Sequence, residues 1–317
     1  MYCELLVEEK LAETVGFLSL HEERCITLMS RLVKNGVPVM PDENISVLVF
    51  RHSKESSVCA VVSYSESGYI LHCIPFSEDY AEICAFMKDF LTGRSLFCIL
   101  GEKKGSDLLI KAAGRSPAAS IDYTLMTFGG SSLETGETLC VESASGKVSS
   151  VGAGVSSFVA ENSACAVLPM PHGFSCVPCS EADVNLLLPL QKEYDSVEVL
   201  LSGAKLDVPL CRLNLRKILR EQFVLGVRAD AADSGFFVAK AGTNAIGLKW
   251  VQLGGVCTLP EYRGRGLAAF LVNKIALQKQ SDGKKTALFV KNKNIPAQKA
   301  YKKAGFIPLC PFSISYF

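Results

Sequence analysis

The sequence predicts a mixed α/β fold, and three observations predict it. Short apolar runs alternate with amphipathic stretches of helical period along most of the chain. A strand ending in Val256-Cys257-Thr258 passes through Leu259-Pro260-Glu261-Tyr262-Arg263-Gly264-Arg265-Gly266 directly into a helix that starts at Leu267-Ala268. A second buried strand, Ala287 to Val290, is followed by Asn294-Ile295-Pro296-Ala297, which reads as a helix start, and by Gly305-Phe306, which reads as its end.

In chain order, Leu5–Leu18 and Glu22–Val33 read as helices, and Ile45–Arg51, Val58–Tyr64 and Gly68–Ile74 as strands. Ser77–Leu91, Leu96–Leu100, Ser106–Ala113 and Tyr123–Phe128 follow as helix, strand, helix and strand. Residues 129–168 are Gly/Ser-rich and read as a linker, with room for a hairpin around Leu139 to Val151. Beyond it, Gly173 to Pro178 is a strand, and Ser180 with Asp183 opens an amphipathic helix. A loop carrying Glu193, Asp195 and Glu198, a helix near Leu210 to Gln222, and strands Phe223–Arg228, Phe236–Ala241 and Ile246–Thr258 come next. The helix Gly264 to Gln280, the strand Thr286–Val290, a helix bearing Tyr301 and a final strand opening at Phe306 close the unit. Three regions result: an N-terminal α/β domain over 1–128, the linker over 129–168 and a second α/β domain over 169–317.

The chain has 317 residues, 49% hydrophobic and 21% charged, with a formal net charge of +1. That is a globular composition with no whole-molecule attraction to nucleic acid or to an anionic membrane. Thirteen cysteines, many inside apolar runs, fit reduced thiols better than a disulfide framework. Neither a secretory leader nor a membrane span is evident, so a cytoplasmic location is expected.

The turn at Arg263 to Gly266 is built for an anion. Gly264 and Gly266 allow a tight turn and a close approach, and the unpaired N–H groups at the helix start favour negative charge. It does not have the Gly-x-x-x-x-Gly-Lys-Ser/Thr pattern of a nucleoside-triphosphatase loop, nor the three-glycine dinucleotide fingerprint.

Arg263-x-x-Gly266-x-Ala268 after a strand and a proline, followed by Asn294, Ala297, Tyr301 and Gly305-Phe306 in that order, resembles the GNAT acyl-CoA N-acyltransferase superfamily. The resemblance covers roughly Gly173 to Phe317. It implies a GNAT fold for the second domain, and the fainter repetition of the same element order makes the first domain GNAT-like. Where the first domain should carry a cradle it has Pro75-Phe76-Ser77-Glu78-Asp79, without glycine and with two carboxylates, so it lacks the pyrophosphate loop.

The resemblance further implies acetyl-CoA as co-substrate. Val256, Cys257 and Thr258 would pair with its pantetheine arm. Arg263, Gly264, Arg265, Gly266, Leu267 and Ala268 would hold the pyrophosphate. Asn294 and Ala297 would lie beside the cofactor, although Asn294 is equally a helix cap. Tyr301 would act as general acid toward the departing thiolate. The expected reaction is direct acetyl transfer to an unidentified primary amine in a ternary complex, without a metal. The alternative is a non-catalytic acyl-CoA-binding regulatory or scaffold protein. No general base is legible, because His21, His52, His72 and His172 all precede the acetyltransferase core.

Overall fold

The computed structural model describes residues 1–129, 166–200, 204–230 and 236–317. The expected linker hairpin lies outside the described residues. The N-terminal half runs β1 (Tyr2–Leu5), α1 (Glu8–Leu20), α2 (Glu22–Leu32), a small hairpin of β2 (Val33–Lys34) and β3 (Val37–Pro38), β4 (Ile45–Arg51), β5 (Val58–Ser65), β6 (Tyr69–Cys73), α3 (Tyr80–Leu91), β7 (Cys98–Glu102), α4 (Lys103–Ala113) and β8 (Ala119–Phe128). The C-terminal half runs β9 (Phe174–Pro178), α5 (Val184–Tyr194), α6 (Val208–Glu221), β10 (Val224–Ala229), β11 (Phe237–Ile246), β12 (Trp250–Thr258), α7 (Leu267–Ser281), β13 (Lys285–Lys291), α8 (Ile295–Lys303) and β14 (Phe306–Tyr316).

The mixed α/β expectation is borne out as one twelve-stranded sheet, in the order β1-β4-β5-β6-β7-β14-β8-β13-β12-β11-β10-β9. Helices cover both faces, which is why β5 is buried along its whole length and reads as an almost unbroken apolar run. Strand alternation divides β4 between two cores: Val47 and Val49 pack under α1 and α2, Leu48 and Phe50 under α3 and α4.

Each half has one parallel pair, flanked on its outer side by antiparallel strands. β6 and β7 pair at Tyr69↔Cys98, Ile70↔Ile99 and Leu71↔Leu100. β12 and β13 pair at Trp250↔Lys285, Val251↔Thr286 and Gln252↔Ala287. In both cases the pairing then stops and the strands diverge.

The halves also exchange their last strands. β8 pairs with β13 of the other half, β14 pairs with β7 of the other half, and β8 and β14 pair with each other along the middle of the sheet. α2 adds a second connection. The buried carboxylate of Glu22 accepts the backbone N–H groups of Lys249 (2.9 and 3.0 Å) and Trp250 (3.1 Å), capping the turn between β11 and β12. Thr27 donates to the Gln252 side chain at 3.0 Å.

Two sequence expectations need correcting. The strand expected over Ile246–Thr258 is two strands, because β11 continues to Ile246 and the chain turns at 247–249 before β12. The apolar run through Leu248 hides that turn, which Glu22 stabilises from another part of the chain. β1 was not expected, since four residues with one acid carry little strand signal; pairing with β4 creates it.

Candidate active site

β12 forms one wall of the site. Beyond Gln252 it has no partner on the β13 side, so the backbone from Leu253 to Thr258 presents an unpaired edge there. On its other side the register with β11 shifts around Gly254, and Gly255 adopts φ +60°. Such a bulge re-aims the backbone groups next to it. The Gly255 N–H faces the Tyr194 hydroxyl, and its carbonyl accepts a 3.0 Å hydrogen bond from Lys240 Nζ.

β12 then leads through a 3-10 turn, Pro260–Tyr262, into the start of α7. Gly264 and Gly266 have φ +78° and +82°, and nothing lies within 4 Å of where a Cβ would stand on either. No side chain caps α7, so its first-turn N–H groups face the open turn. An uncapped helix start, two positive-φ glycines and two arginines together fit a pyrophosphate. Arg263 donates from Nε to the Thr258 carbonyl (3.1 Å) and from its guanidinium to Glu193 (2.7 Å). Arg265 lies over the rings of Tyr262 and Phe174, 5.3 and 5.9 Å from their centres. Leu267 is buried beneath the cradle, and Ala268 is half-buried.

The other wall is β13 with α8. Asn294 caps α8, its Oδ1 accepting the Ala297 N–H at 3.1 Å. Its Nδ2 donates to Glu198 at 3.0 Å, so the cap and the cleft-facing role occur in one side chain. Tyr301 is buried in α8. Burial raises its pKa well above the ordinary 10, and Tyr194, Glu198 and Cys257 are close enough to add to the shift. The structure therefore gathers Val256 to Thr258, Arg263 to Ala268, Asn294, Ala297 and Tyr301 around one opening in the sheet.

The resemblance implies that Glu193, Asp195 and Glu198 border the acceptor site, where they would attract a cationic amine or simply form a solvated helix end. The structure gives two of them other partners, and it adds a residue that sequence reasoning missed. Glu198, on a π-helical turn at Asp195–Val199, pairs with Lys291 (3.1 Å) as well as Asn294. Glu193 pairs with Arg263. Both carboxylates are thus engaged with the cleft's own cations and amide instead of standing free for an acceptor. The residue that was missed is Lys240, 3% exposed in the middle of β11. Burial lowers its pKa, partly offset by Cys257 and Asp195. A lysine between Ala239 and Ala241 in an apolar strand was the signal available. Cys257 is buried, and burial pushes its thiol up to about 11, which suits a packed thiol better than a nucleophile.

The N-terminal half differs at the equivalent opening. There His72 fills the space after the parallel pairing, with Nε2 2.9 Å from Ser106 Oγ. A Cβ on Gly101 or Gly105 would stand 2.1 or 2.5 Å from its ring. Beside it lies a narrow crevice lined by Glu23, Arg24, His72, Gln252 and Phe289 among others. The turn before α3 has no positive-φ residue, and its Asp79 is buried against His52 and Cys59 instead of facing a phosphate position.

Comparison with known proteins agrees with this geometry. Residues 235–310 match the family model described as FR47-like protein. Among solved structures, a Drosophila protein superposes with a TM-score of 0.63 at 14% identity, covering 99% of this chain and 98% of that one. A tandem GNAT protein from the clavulanic acid biosynthesis pathway gives 0.55 at 11% identity, covering 99% and 97%. A GNAT-family acetyltransferase from Colwellia psychrerythraea gives 0.51 at 11% identity, covering 100% and 99%. No curated protein matches the chain in sequence. The C-terminal half thus matches the FR47-like family model, and the chain shares its fold over its whole length with the tandem GNAT protein and the GNAT-family acetyltransferase.

Proposed function

We propose that the C-terminal half transfers an acetyl group from acetyl-CoA to a primary amine by direct attack in a ternary complex. The observation that carries this reading is the continuity of one path: the unpaired edge of β12 runs into the uncapped start of α7, with Tyr301 buried alongside. Acetyl-CoA supplies the activated acetyl group. The α7 turn would hold its pyrophosphate, and backbone groups from Val256 to Thr258 would align its pantetheine arm. Lys240 fixes the Gly255 carbonyl and so the shape of the bulge. Tyr301 stays protonated far above neutral pH, the state a proton donor to a departing thiolate requires.

The proposal also includes the division into 1–128, 129–168 and 169–317, with the last strands exchanged, and a reducing compartment such as the cytoplasm. The eleven described cysteines are all unpaired, and no described helix is long and apolar enough to cross a membrane.

Calorimetric titration with acetyl-CoA tests the reading, set beside a Gly264→Glu/Gly266→Glu variant that places carboxylates in the cradle. Binding is expected in the wild type and is lost in the variant. Thiol release across a panel of amines then measures turnover. Tyr301→Phe should lower turnover at least about tenfold with acetyl-CoA affinity nearly unchanged. Turnover equal to wild type would remove Tyr301 from this role.

A second reading has its own observation. Glu193 and Glu198 already engage Arg263, Lys291 and Asn294, as they would in a protein that binds an acyl-CoA for regulation without turning it over. Saturable acetyl-CoA binding with no thiol release for any amine in the panel would favour it.

A further inference from the structure

The turn before α3 occupies the place in the N-terminal half that the cradle occupies in the C-terminal half, and its chemistry is of opposite sign. Asp79 is 4% exposed, and its Oδ2 is buried without a hydrogen-bond partner. Its Oδ1 is 3.4 Å from His52 Nδ1. Cys59 completes the group, with one donor atom from each of His52, Cys59 and Asp79 lying within 4.8 Å of the others.

The placement of Cys59 follows from a bulge. Phe50 pairs with Ala60 and Arg51 with Val58, so Cys59 is the extra residue on β5. Cys59 and its neighbour Ala60 therefore both face the α3 core, where strict alternation would send one of them to the opposite face. The thiol is brought over the helix start where Asp79 stands. Met1 Sδ lies 3.9 Å from Cys59 Sγ, a further soft neighbour.

We propose that His52, Cys59 and Asp79 form a binding site for a zinc-class divalent transition metal. Mixed sulfur, nitrogen and oxygen donors suit such an ion, whereas Mg²⁺ and Ca²⁺ select oxygen alone. Ligands about 2.0–2.3 Å from a tetrahedral centre stand roughly 3.3–3.8 Å apart. The largely exposed His52 ring closes the remaining gap by rotating, and water completes the coordination on its solvent side. Binding takes Cys59 as thiolate, Asp79 as carboxylate and His52 as neutral imidazole, so the thiol proton is released and the buried charge sums to zero. The unpartnered Asp79 oxygen gains a ligand, and the bend between β4 and β5 is tied to the start of α3. Cys176-x-x-Cys179 has no comparable third donor among the described residues.

The test uses the full chain, stripped with a chelator and held under a non-thiol reductant. Titration with Co²⁺ should give one equivalent bound, with a thiolate-to-cobalt charge-transfer band that Zn²⁺ displaces. His52→Ala alters a side chain that is 62% exposed, so the variant folds; its affinity should fall at least tenfold. Cys59→Ser should abolish the band, with circular dichroism confirming the fold. Zn²⁺ should raise the melting temperature of the wild type and not that of His52→Ala. Absence of the band in folded wild-type protein would overturn the proposal. So would a band of unchanged strength and affinity in both variants, since the metal would then sit on other thiols.

Discussion

The two halves of the sheet open in the same way and put different chemistry into the opening. In each, a parallel pair holds for three residue pairs and then parts. In the C-terminal half the space after the parting leads to an uncapped helix start, two glycines at positive φ and two arginines. In the N-terminal half it is closed by His72 against Gly101, Gly105 and Ser106, and the following turn carries a buried carboxylate. The opening is thus a property of strand order, whereas what it receives is set by a few residues in the turn that follows.

Separating the two halves should have the largest effect. A chain containing only 169–317 lacks β8, leaving β13 and β14 without the strand that lies between them. We expect no cooperative unfolding transition from this fragment, to be checked by denaturant titration followed by circular dichroism. A cooperatively folded, soluble fragment would show that the exchange is dispensable.

Acid should affect the two openings differently. Burial lowers the pKa of His72 to about 4 from its ordinary 6.5. Above pH 6.5 the imidazole is neutral in folded and unfolded chains alike and contributes no pH dependence. As pH falls from 6.5 through 4, the unfolded chain takes up a proton that the folded chain refuses, so stability is lost. The loss attributable to this group is roughly 3 kcal/mol once pH is below the folded value. His72→Asn should flatten that part of the stability profile, measured as urea unfolding between pH 7 and 4.5. An unchanged slope would mean that the ring gains solvent on the acid side. No comparable histidine exists in the C-terminal opening, because the last histidine of the chain is His172.

The carboxylates at the cradle modulate ligand affinity only weakly. Glu193→Gln frees the exposed Arg263 guanidinium for an anionic ligand and should tighten acetyl-CoA binding by about two- to fivefold, in keeping with the modest strength of a solvent-exposed pair. Calorimetry reads this directly; weaker binding would mean that the pair holds Arg263 in its ligand-ready position.

Most elements were legible because apolar periodicity and turn chemistry are local. Ile45–Arg51 agrees at both ends, and the Asn294 cap and the Ser180–Asp183 capping box are present as expected. Strand partnership was not legible. β8 and β14 both read as strands, but nothing in Tyr123–Phe128 or in Phe306–Tyr316 says which edge each will join. The same limit hid the partners of the site's carboxylates: nothing near Glu198 in sequence says that it will meet Asn294, 96 positions away. Lys240 was overlooked for a different reason, since an ammonium in a buried strand contradicts the pattern used to recognise the strand.

The exchanged strands also set an order on biosynthesis. β7 is complete once Glu102 has been made, yet the neighbour it needs is β14, which begins at Phe306. Ser120 Oγ and Ser315 Oγ, 2.8 Å apart in the finished sheet, are separated by 195 positions of chain. During translation the first half therefore presents an unfilled edge at β7 until the last strand has left the ribosome. Such an edge is a template for pairing with another nascent chain, and closing it requires contacts of very long sequence range. This protein cannot mature one half at a time: the same late strand completes the sheet of both halves.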